Sequence, residues 1–241
     1  MQPARSFALV VDEYDSSRPG YPDDAVRWLV GDVPLDVVDL GAGTGKLTRS
    51  LSRLGHRVVA VEPLVPMLQR LRDQVPGARP VVGSAEAIPL ADGTADAVVV
   101  AQAFHWFDAP RALAEIARVL RPGGRVGLIW NQRDETVPWV ARLGEVIGAV
   151  ETLPAGWLDC FRGSAFGAVE TARFRHVQEF DADGLCRLAA SRSYVASLDE
   201  AGRAEVLGRL RELVAEHPDL TGRTTYQLPY DVAVYRAPLV S

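Results

Sequence analysis

From residue 25 to 131, short apolar runs alternate with stretches whose apolar positions recur at helical spacing. Val37-Val38-Asp39-Leu40 reads as a buried strand that ends at a glycine cluster. Leu47, Leu51 and Leu54 then mark one face of a helix stopped by Gly55. Arg57 to Glu62 is a second strand, closed by Pro63, and Met67, Leu68, Leu71 and Val75 trace a helix ended by Pro76-Gly77. Arg79 to Val82 and Ala95 to Ala101 are the third and fourth strands. Asp108 is placed to cap a helix with Pro110 in its first turn and Leu113, Ile116, Ala117 and Leu120 facing inward. Arg121-Pro122-Gly123-Gly124 ends that helix, and Arg125 to Trp130 is the fifth strand.

Strands this continuously apolar, separated by amphipathic helices, belong to a parallel sheet covered on both faces. After residue 131 the rhythm changes. Val140, Leu143, Ile147 and Val150 suit one amphipathic helix. Ser197-Leu198-Asp199-Glu200 reads as the capping box of another, with Val206, Leu210, Leu213 and Val214 as its buried stripe. Ala172 to Phe180 and Thr224 to Tyr235 are strand-like and suit an antiparallel pair at the sheet edge. The predicted fold is α/β: doubly wound and Rossmann-like, a mostly parallel seven-stranded sheet with an antiparallel C-terminal pair and helices on both faces. With no low-complexity linker and no repeat, 1–241 is expected to be a single domain. Within it, 1–25 is an N-terminal lid and 26–131 a ligand-binding core; 132–170 is a candidate cap insertion and 171–241 supplies the C-terminal strands and helix.

Composition narrows the function. A chain of 241 residues with 48% apolar and 24% charged residues is ordinary for a globular protein. Its net charge of -5 argues against nucleic acid as a partner, since phosphate binders carry a basic stripe. Cys160 and Cys186 are too few and too far apart for a disulfide framework or a zinc site. Met1 to Val11 lacks the basic start and long apolar region of a secretory leader, and no run is long enough to span a bilayer. A cytoplasmic protein is expected, with a small molecule as its partner, neither nucleic acid nor membrane; the sequence does not set its oligomeric state.

The glycine cluster Gly41-Ala42-Gly43-Thr44-Gly45 sits at a strand-to-helix turn, where missing Cβ atoms let a ligand approach the backbone. A P-loop is excluded, because Leu40 stands where its first glycine should be and Leu47 follows Gly45-Lys46. The dinucleotide fingerprint G-x-G-x-x-G is broken too, since Lys46 holds its last position; a nicotinamide-dependent oxidoreductase remains the alternative reading. Glu62 ends the second strand about 20 residues on, the separation at which a carboxylate meets ribose hydroxyls.

Val37 to Gly45, an acidic residue followed by G-x-G-x-G, resembles the first motif of class I S-adenosylmethionine (SAM)-dependent methyltransferases. The resemblance implies SAM as cofactor and S-adenosylhomocysteine as its product. It implies that Gly41, Ala42 and Gly43 pass beside the methionine part, and that Asp39 helps to hold its amino group, directly or by shaping the loop. Glu62 would take both ribose hydroxyls, with Pro63 and Met67 among the cofactor-binding residues. Gly83 to Leu90 resembles the family's G-D-A-x-x-L-P segment beside the adenine, with Ser84 in place of the common aspartate. Ser84 would meet the adenine amino group without charge assistance, Ala85 would offer its N–H, and Glu86 would point to solvent. Gln102 would meet SAM from beneath. A SAM-binding protein without catalysis is a second alternative.

The segment after the fourth strand speaks to the acceptor. Gln102-Ala103-Phe104-His105-Trp106-Phe107 lacks the [DN]-P-P-[YFW] motif of enzymes that methylate amino groups of bases or glutamine, which favours a small organic acceptor methylated at a carboxyl or hydroxyl oxygen. His105 reads either as a base that takes the acceptor's proton or as a residue that shapes the pocket. Trp106 and Phe107 read as core ahead of acceptor wall. Tyr14, Arg18 and Tyr21 lie in an N-terminal segment that, with His105-Trp106-Phe107 and Pro122 to Asn131, resembles the trans-aconitate methyltransferase-like branch, where this segment folds over the cofactor. Arg18 is a carboxylate partner or a plain surface residue; Asn131 and Arg133 are rim candidates. Asp108, Asn131 and Asp134 are oxygen ligands too commonplace to predict a metal.

Overall fold

The computed structural model describes residues 18–148, 153 and 155–240. The first part of the chain alternates helix and strand: α1 (Asp23–Val30), β1 (Asp36–Leu40), α2 (Lys46–Arg53), β2 (Arg57–Glu62), α3 (Val65–Gln74), β3 (Arg79–Val82), β4 (Ala95–Ala101), α4 (Ala109–Val119) and β5 (Leu120–Arg133). Then follow α5 (Pro138–Ile147), β6 (Glu170–Phe180), α6 (Ala182–Ala190), α7 (Ser193–Ala196), α8 (Glu200–Glu216) and β7 (Tyr226–Pro238). The seven strands form one sheet in the order β3-β2-β1-β4-β5-β7-β6, with the last two as an antiparallel pair. β1 is parallel to β2 (Val37 opposite Val58) and to β4 (Val38 opposite Val98). The direction of winding therefore reverses between β1 and β4.

Strand alternation explains how the sheet is covered. Val38, Leu40, Val98, Val100, Leu128 and Trp130 face one side, where α4 packs Ala112, Leu113 and Ile116 against them. Val37, Ala60, Ala97, Val99 and Ile129 face the other, under Val26 and Leu29 of α1, Leu47 and Leu51 of α2 and Leu71 of α3. Both faces are buried, as the continuous apolar runs require.

By chain contacts the described residues divide into two compact units. One gathers those of 20–131, 152–174 and 232–240, and holds the two core faces above. The other gathers Arg18, Pro19 and those of 132–148 and 175–231 around Leu143 and Ile147 of α5, Leu185 and Leu188 of α6, and Val206 and Leu210 of α8.

Several elements differ from the sequence expectation. α1, α6 and α7 have no counterpart in the predicted pattern. β5 is longer than Arg125 to Trp130, because the segment after Gly124 and the Leu120 end both pair with β4 around an irregularity near Ala95. The capping box at Ser197 does not form. Asp199 caps α8 by accepting the Gly202 N–H at 2.8 Å, and the Ser197 hydroxyl instead donates to the Tyr194 carbonyl. A carboxylate three residues ahead of a free helical N–H is the stronger cap and sets the start. Val150 and Tyr14 lie outside the described residues.

The segment after β3 has no regular structure, yet it is firmly held. Arg118 donates to the carbonyls of Ile88 and Leu90 and to Asp92, at 2.8, 2.8 and 2.7 Å. Its neighbour Glu115 accepts the Ile88 N–H at 2.8 Å and pairs with Arg118. The Arg118 guanidinium, foremost, holds the Glu115 carboxyl below its ordinary range. Arg118→Gln is expected to speed amide exchange at Ile88 and Leu90 at least tenfold while leaving Val38 and Leu40 unchanged, as hydrogen-exchange mass spectrometry would read.

Candidate functional site

In a doubly wound sheet the crevice lies beyond the carboxyl ends of the strands, where winding reverses. The glycine loop leaves β1 at that point. Gly41 (φ 73°), Gly43 (φ 55°) and Gly45 (φ 91°) all adopt the left-handed backbone that only glycine takes without strain. A Cβ on Gly41 would stand 2.8 Å from the Ala103 Cβ, so the turns after β1 and β4 nearly touch. The Gly41 and Ala42 N–H groups both donate to the Val61 carbonyl, which ties the loop to β2.

Two carboxyl groups flank this loop from below. Glu62, 6% exposed at the end of β2, accepts the Gly43 N–H at 3.0 Å through Oε2 and the Leu64 N–H at 3.1 Å through Oε1. Burial raises its pKa against the pull of those two N–H groups. Asp39 is fully buried in β1. Its Oδ2 accepts the Thr48 hydroxyl at 2.6 Å, while Oδ1, equally buried, has no partner among the described residues. Burial, opposed by Thr48, pushes Asp39 up to about 7. Thr44 is 1% exposed, and its hydroxyl also lacks a partner among those residues. Met67, buried on α3, lies with its sulfur 3.7 Å from where a Cβ on Gly43 would be, and Pro63 is exposed.

The next strand ends carry the other candidates. Ser84 and Ala87 form an isolated antiparallel bridge, with Ala85 buried between them. Glu86 lies at the surface but is not left to solvent alone. Its carboxylate accepts the Asp108 N–H at 3.0 Å and so links this segment to the start of α4, because that N–H precedes the helix and has no helical acceptor. Gln102, just past β4, is the one non-glycine described residue with positive φ (55°). Backbone held there costs energy that its surroundings must supply, a feature concentrated at functional sites. The Gln102 side chain donates to the Asn131 carbonyl at 3.0 Å, and Asn131, itself buried, donates to the Gly20 carbonyl at 2.9 Å.

His105 sits in a 3-10 turn, Phe104–Trp106, its ring centroid 4.5 Å from Trp106 and 6.0 Å from Trp130. The core reading of Trp106 fails. Its ring is 49% exposed, because the short turn puts Phe104 inward and carries Trp106 out. Phe104 packs edge-on to Phe107 and stacks on Phe161. Tyr21 is buried in the core face shared by α1 and α2. Asn131, Trp106, His105 and Tyr21 belong to the unit that holds the glycine loop; Arg18 and Arg133 belong to the other. Thr48 went unflagged in the sequence, although its place one turn before Leu51 marks it as a polar residue on a buried helical face. Cys160 and Cys186 are free thiols. Among the described residues no helix is long and apolar enough to cross a membrane.

Comparison with known proteins identifies the family. Residues 38–128 match the methyltransferase domain family. The chain is 43% identical over 241 residues to an uncharacterized methyltransferase of Mycobacterium tuberculosis, covering 97% of this chain and 96% of that one. A shorter match, 42% identical over 103 residues, covers 40% of this chain and 38% of a malonyl-[acyl-carrier protein] O-methyltransferase of Methylococcus capsulatus. Among solved structures, one from Anaeromyxobacter dehalogenans, provisionally assigned to the type II methyltransferases, superposes with a TM-score of 0.68 at 24% identity, covering 92% of this chain and 98% of that one. A geranyl diphosphate methyltransferase in complex with SAM does so with a TM-score of 0.51 at 15% identity, covering 90% of this chain and 84% of that one. These relatives do not bear on the trans-aconitate branch. SAM is the cofactor, and the chain belongs to the class I SAM-dependent methyltransferases.

Proposed function

We propose that this enzyme methylates an oxygen, carboxyl or hydroxyl, of a small organic acceptor, and that Asp39, Gly41, Ala42, Gly43, Glu62, Pro63, Met67, Ser84, Ala85, Glu86 and Gln102 form its cofactor site. The observation that carries the site assignment is the unpartnered, fully buried Oδ1 of Asp39 beside a loop with three glycines in left-handed backbone. A buried carboxyl with an open lone pair is what a cationic amino group calls for. Glu62 suits hydroxyl donors in the same way, since each of its oxygens accepts one N–H and keeps a further acceptor site. SAM supplies a methyl group already activated on a sulfonium. The chain's own task is thus alignment and exclusion of water. Gln102, fixed through the Asn131 carbonyl, holds the floor of the site, and the aromatic ring cluster of Phe104, Phe107 and Phe161 keeps water from behind it. His105 takes the proton of a hydroxyl acceptor; a carboxylate acceptor needs no base. Methylation at oxygen is supported by the absent [DN]-P-P-[YFW] motif and by the partial likeness to an O-methyltransferase. A small-molecule partner and a cytoplasmic location belong to the same reading.

Three outcomes test it. Asp39 stands above its ordinary 3.8 in the free protein, so its contribution to stability is lost as pH rises through about 7. A bound ammonium group reverses that shift. S-adenosylhomocysteine should therefore bind more tightly as pH rises towards about 7 and level off above it, releasing protons on the way. Calorimetry in buffers of different ionisation enthalpy measures the release, and Asp39→Asn should abolish it; pH-independent binding by the unaltered protein would refute the Asp39 contact. Glu62→Gln keeps an acceptor oxygen for the loop but loses the charge, and should weaken cofactor binding about tenfold, roughly 1.4 kcal/mol; an unchanged dissociation constant removes the ribose assignment. With a hydroxyl acceptor, His105→Gln should lower kcat at least tenfold and leave S-adenosylhomocysteine affinity unaltered, whereas an unaffected kcat leaves His105 only a pocket-shaping role.

A further inference from the structure

The unit that begins with the last residues of β5 has buried donors of its own. Arg133 ends that strand with its side chain 4% exposed. Its Nη2 donates to the Gly148 carbonyl at 2.8 Å and lies 3.3 Å from Glu135, whose carboxylate is 47% exposed. The Nε is buried and has no acceptor among the described residues. Burial holds this guanidinium below its ordinary range, so Glu135 does not make up for the water it has lost. A guanidinium does not shed its proton at neutral pH, so the Nε–H remains a donor that the fold has left open. Each such group in a native structure calls for a partner.

Tyr230 stands beside it. The residue is 4% exposed, and its hydroxyl makes no hydrogen bond to any described residue. Burial pushes it up to about 12, against the pull of the Arg133, Arg18 and Arg192 guanidiniums, all near enough to act on it. It is therefore a neutral O–H donor. Its neighbours leave that role intact: Arg18 donates to the Ser191 carbonyl at 3.0 Å, and His176, 6.2 Å away ring to ring, is held below its ordinary value by burial. Apart from Glu135, which engages Arg133 through Nη2, the groups acting on the pair are cationic or neutral, and the two open groups are both donors.

We propose that the Arg133 Nε–H and the Tyr230 O–H form a binding site for the carboxylate of a small organic ligand within this unit, an inference that goes beyond the methyl-transfer reading above. Two donors match the two oxygens of a carboxylate, and the edge of a guanidinium meets that planar group side-on. A phosphate would bring a third oxygen and a second charge that these two donors leave unanswered. Arg133 was a rim candidate from its place after β5; Tyr230 carries no signal in the sequence beyond an aromatic in a strand.

The test titrates the S-adenosylhomocysteine-saturated full chain with succinate and with benzoate, each against its amide, and with inorganic phosphate. At least one carboxylate is expected to bind tenfold or more above its amide and above phosphate. Arg133→Gln should weaken that binding at least tenfold and Tyr230→Phe about threefold, with S-adenosylhomocysteine affinity unchanged. The site is refuted if no carboxylate exceeds its amide, if phosphate binds more tightly, or if both variants keep the carboxylate affinity. Should Arg133→Gln not fold, Tyr230→Phe decides alone, since it removes a single oxygen from a buried ring. Absence of S-adenosylhomocysteine binding counts instead against the cofactor site, and the same carboxylate series on the free protein then judges this one.

Discussion

Two carboxyl groups buried at neighbouring strand ends set the terms for the rest of the site. Taking a carboxylate out of water is costly, and Asp39 and Glu62 meet that cost differently. Glu62 spends both oxygens on backbone N–H groups and by doing so fixes Gly43 and Leu64. Asp39 has only Thr48, and burial pushes it up to about 7; burial raises Glu62 as well, against the pull of its two N–H groups. Glu62 braces the loop through both oxygens, while Asp39 has one oxygen without a partner among the described residues. The glycines follow from the same constraint. The loop donates two N–H groups to the Val61 carbonyl, and a Cβ on Gly41 would stand 2.8 Å from that of Ala103, so that position has no room for a side chain.

The topology explains why such a site falls here and nowhere else along the sheet. Parallel strands present their N–H and C=O groups evenly, and only where winding reverses do two loops diverge and leave space above the strand ends. The turn after β1 and the turn after β4 are those loops. Gln102 absorbs the geometry in a left-handed residue that is not glycine, and the hydrogen bond to the Asn131 carbonyl holds it there. Glu115 and Arg118, two residues on the outer part of α4, do for the Ile88–Leu90 segment what regular structure does elsewhere, by occupying its free carbonyls and N–H groups.

The core strands were legible because burial on both faces leaves an unbroken apolar run, as in Val37-Val38 and Val98 to Val100, and because the first three ended at Gly41, Pro63 and Gly83. The glycine loop was legible because its spacing excludes two rival ligands. What escaped had local causes. α6 is short, and its stripe of Leu185, Leu188 and Ala189 is diluted by the charges of Asp183 and Arg187. Two adjacent capping signals, Ser197 and Asp199, competed, and the charged one won. Glu86 meets a backbone N–H over twenty residues away, and Thr48 meets Asp39 across a turn; neither pairing leaves a periodic trace. Trp106 was misjudged because a 3-10 turn rotates neighbouring side chains by a third of a circle, so one aromatic goes inward and the next but one outward.

The tether through Gln102 and Asn131 also bears on how such an enzyme changes over generations. Gln102 grips the carbonyl of residue 131, and the Asn131 side chain grips the carbonyl of residue 20. Every amino acid has a carbonyl. Positions 20 and 131 can therefore exchange side chains without unhooking the contact in which each serves as acceptor, whereas Gln102 and Asn131 are constrained as donors. A lineage can change side chains at an acceptor position while the backbone it presents stays registered.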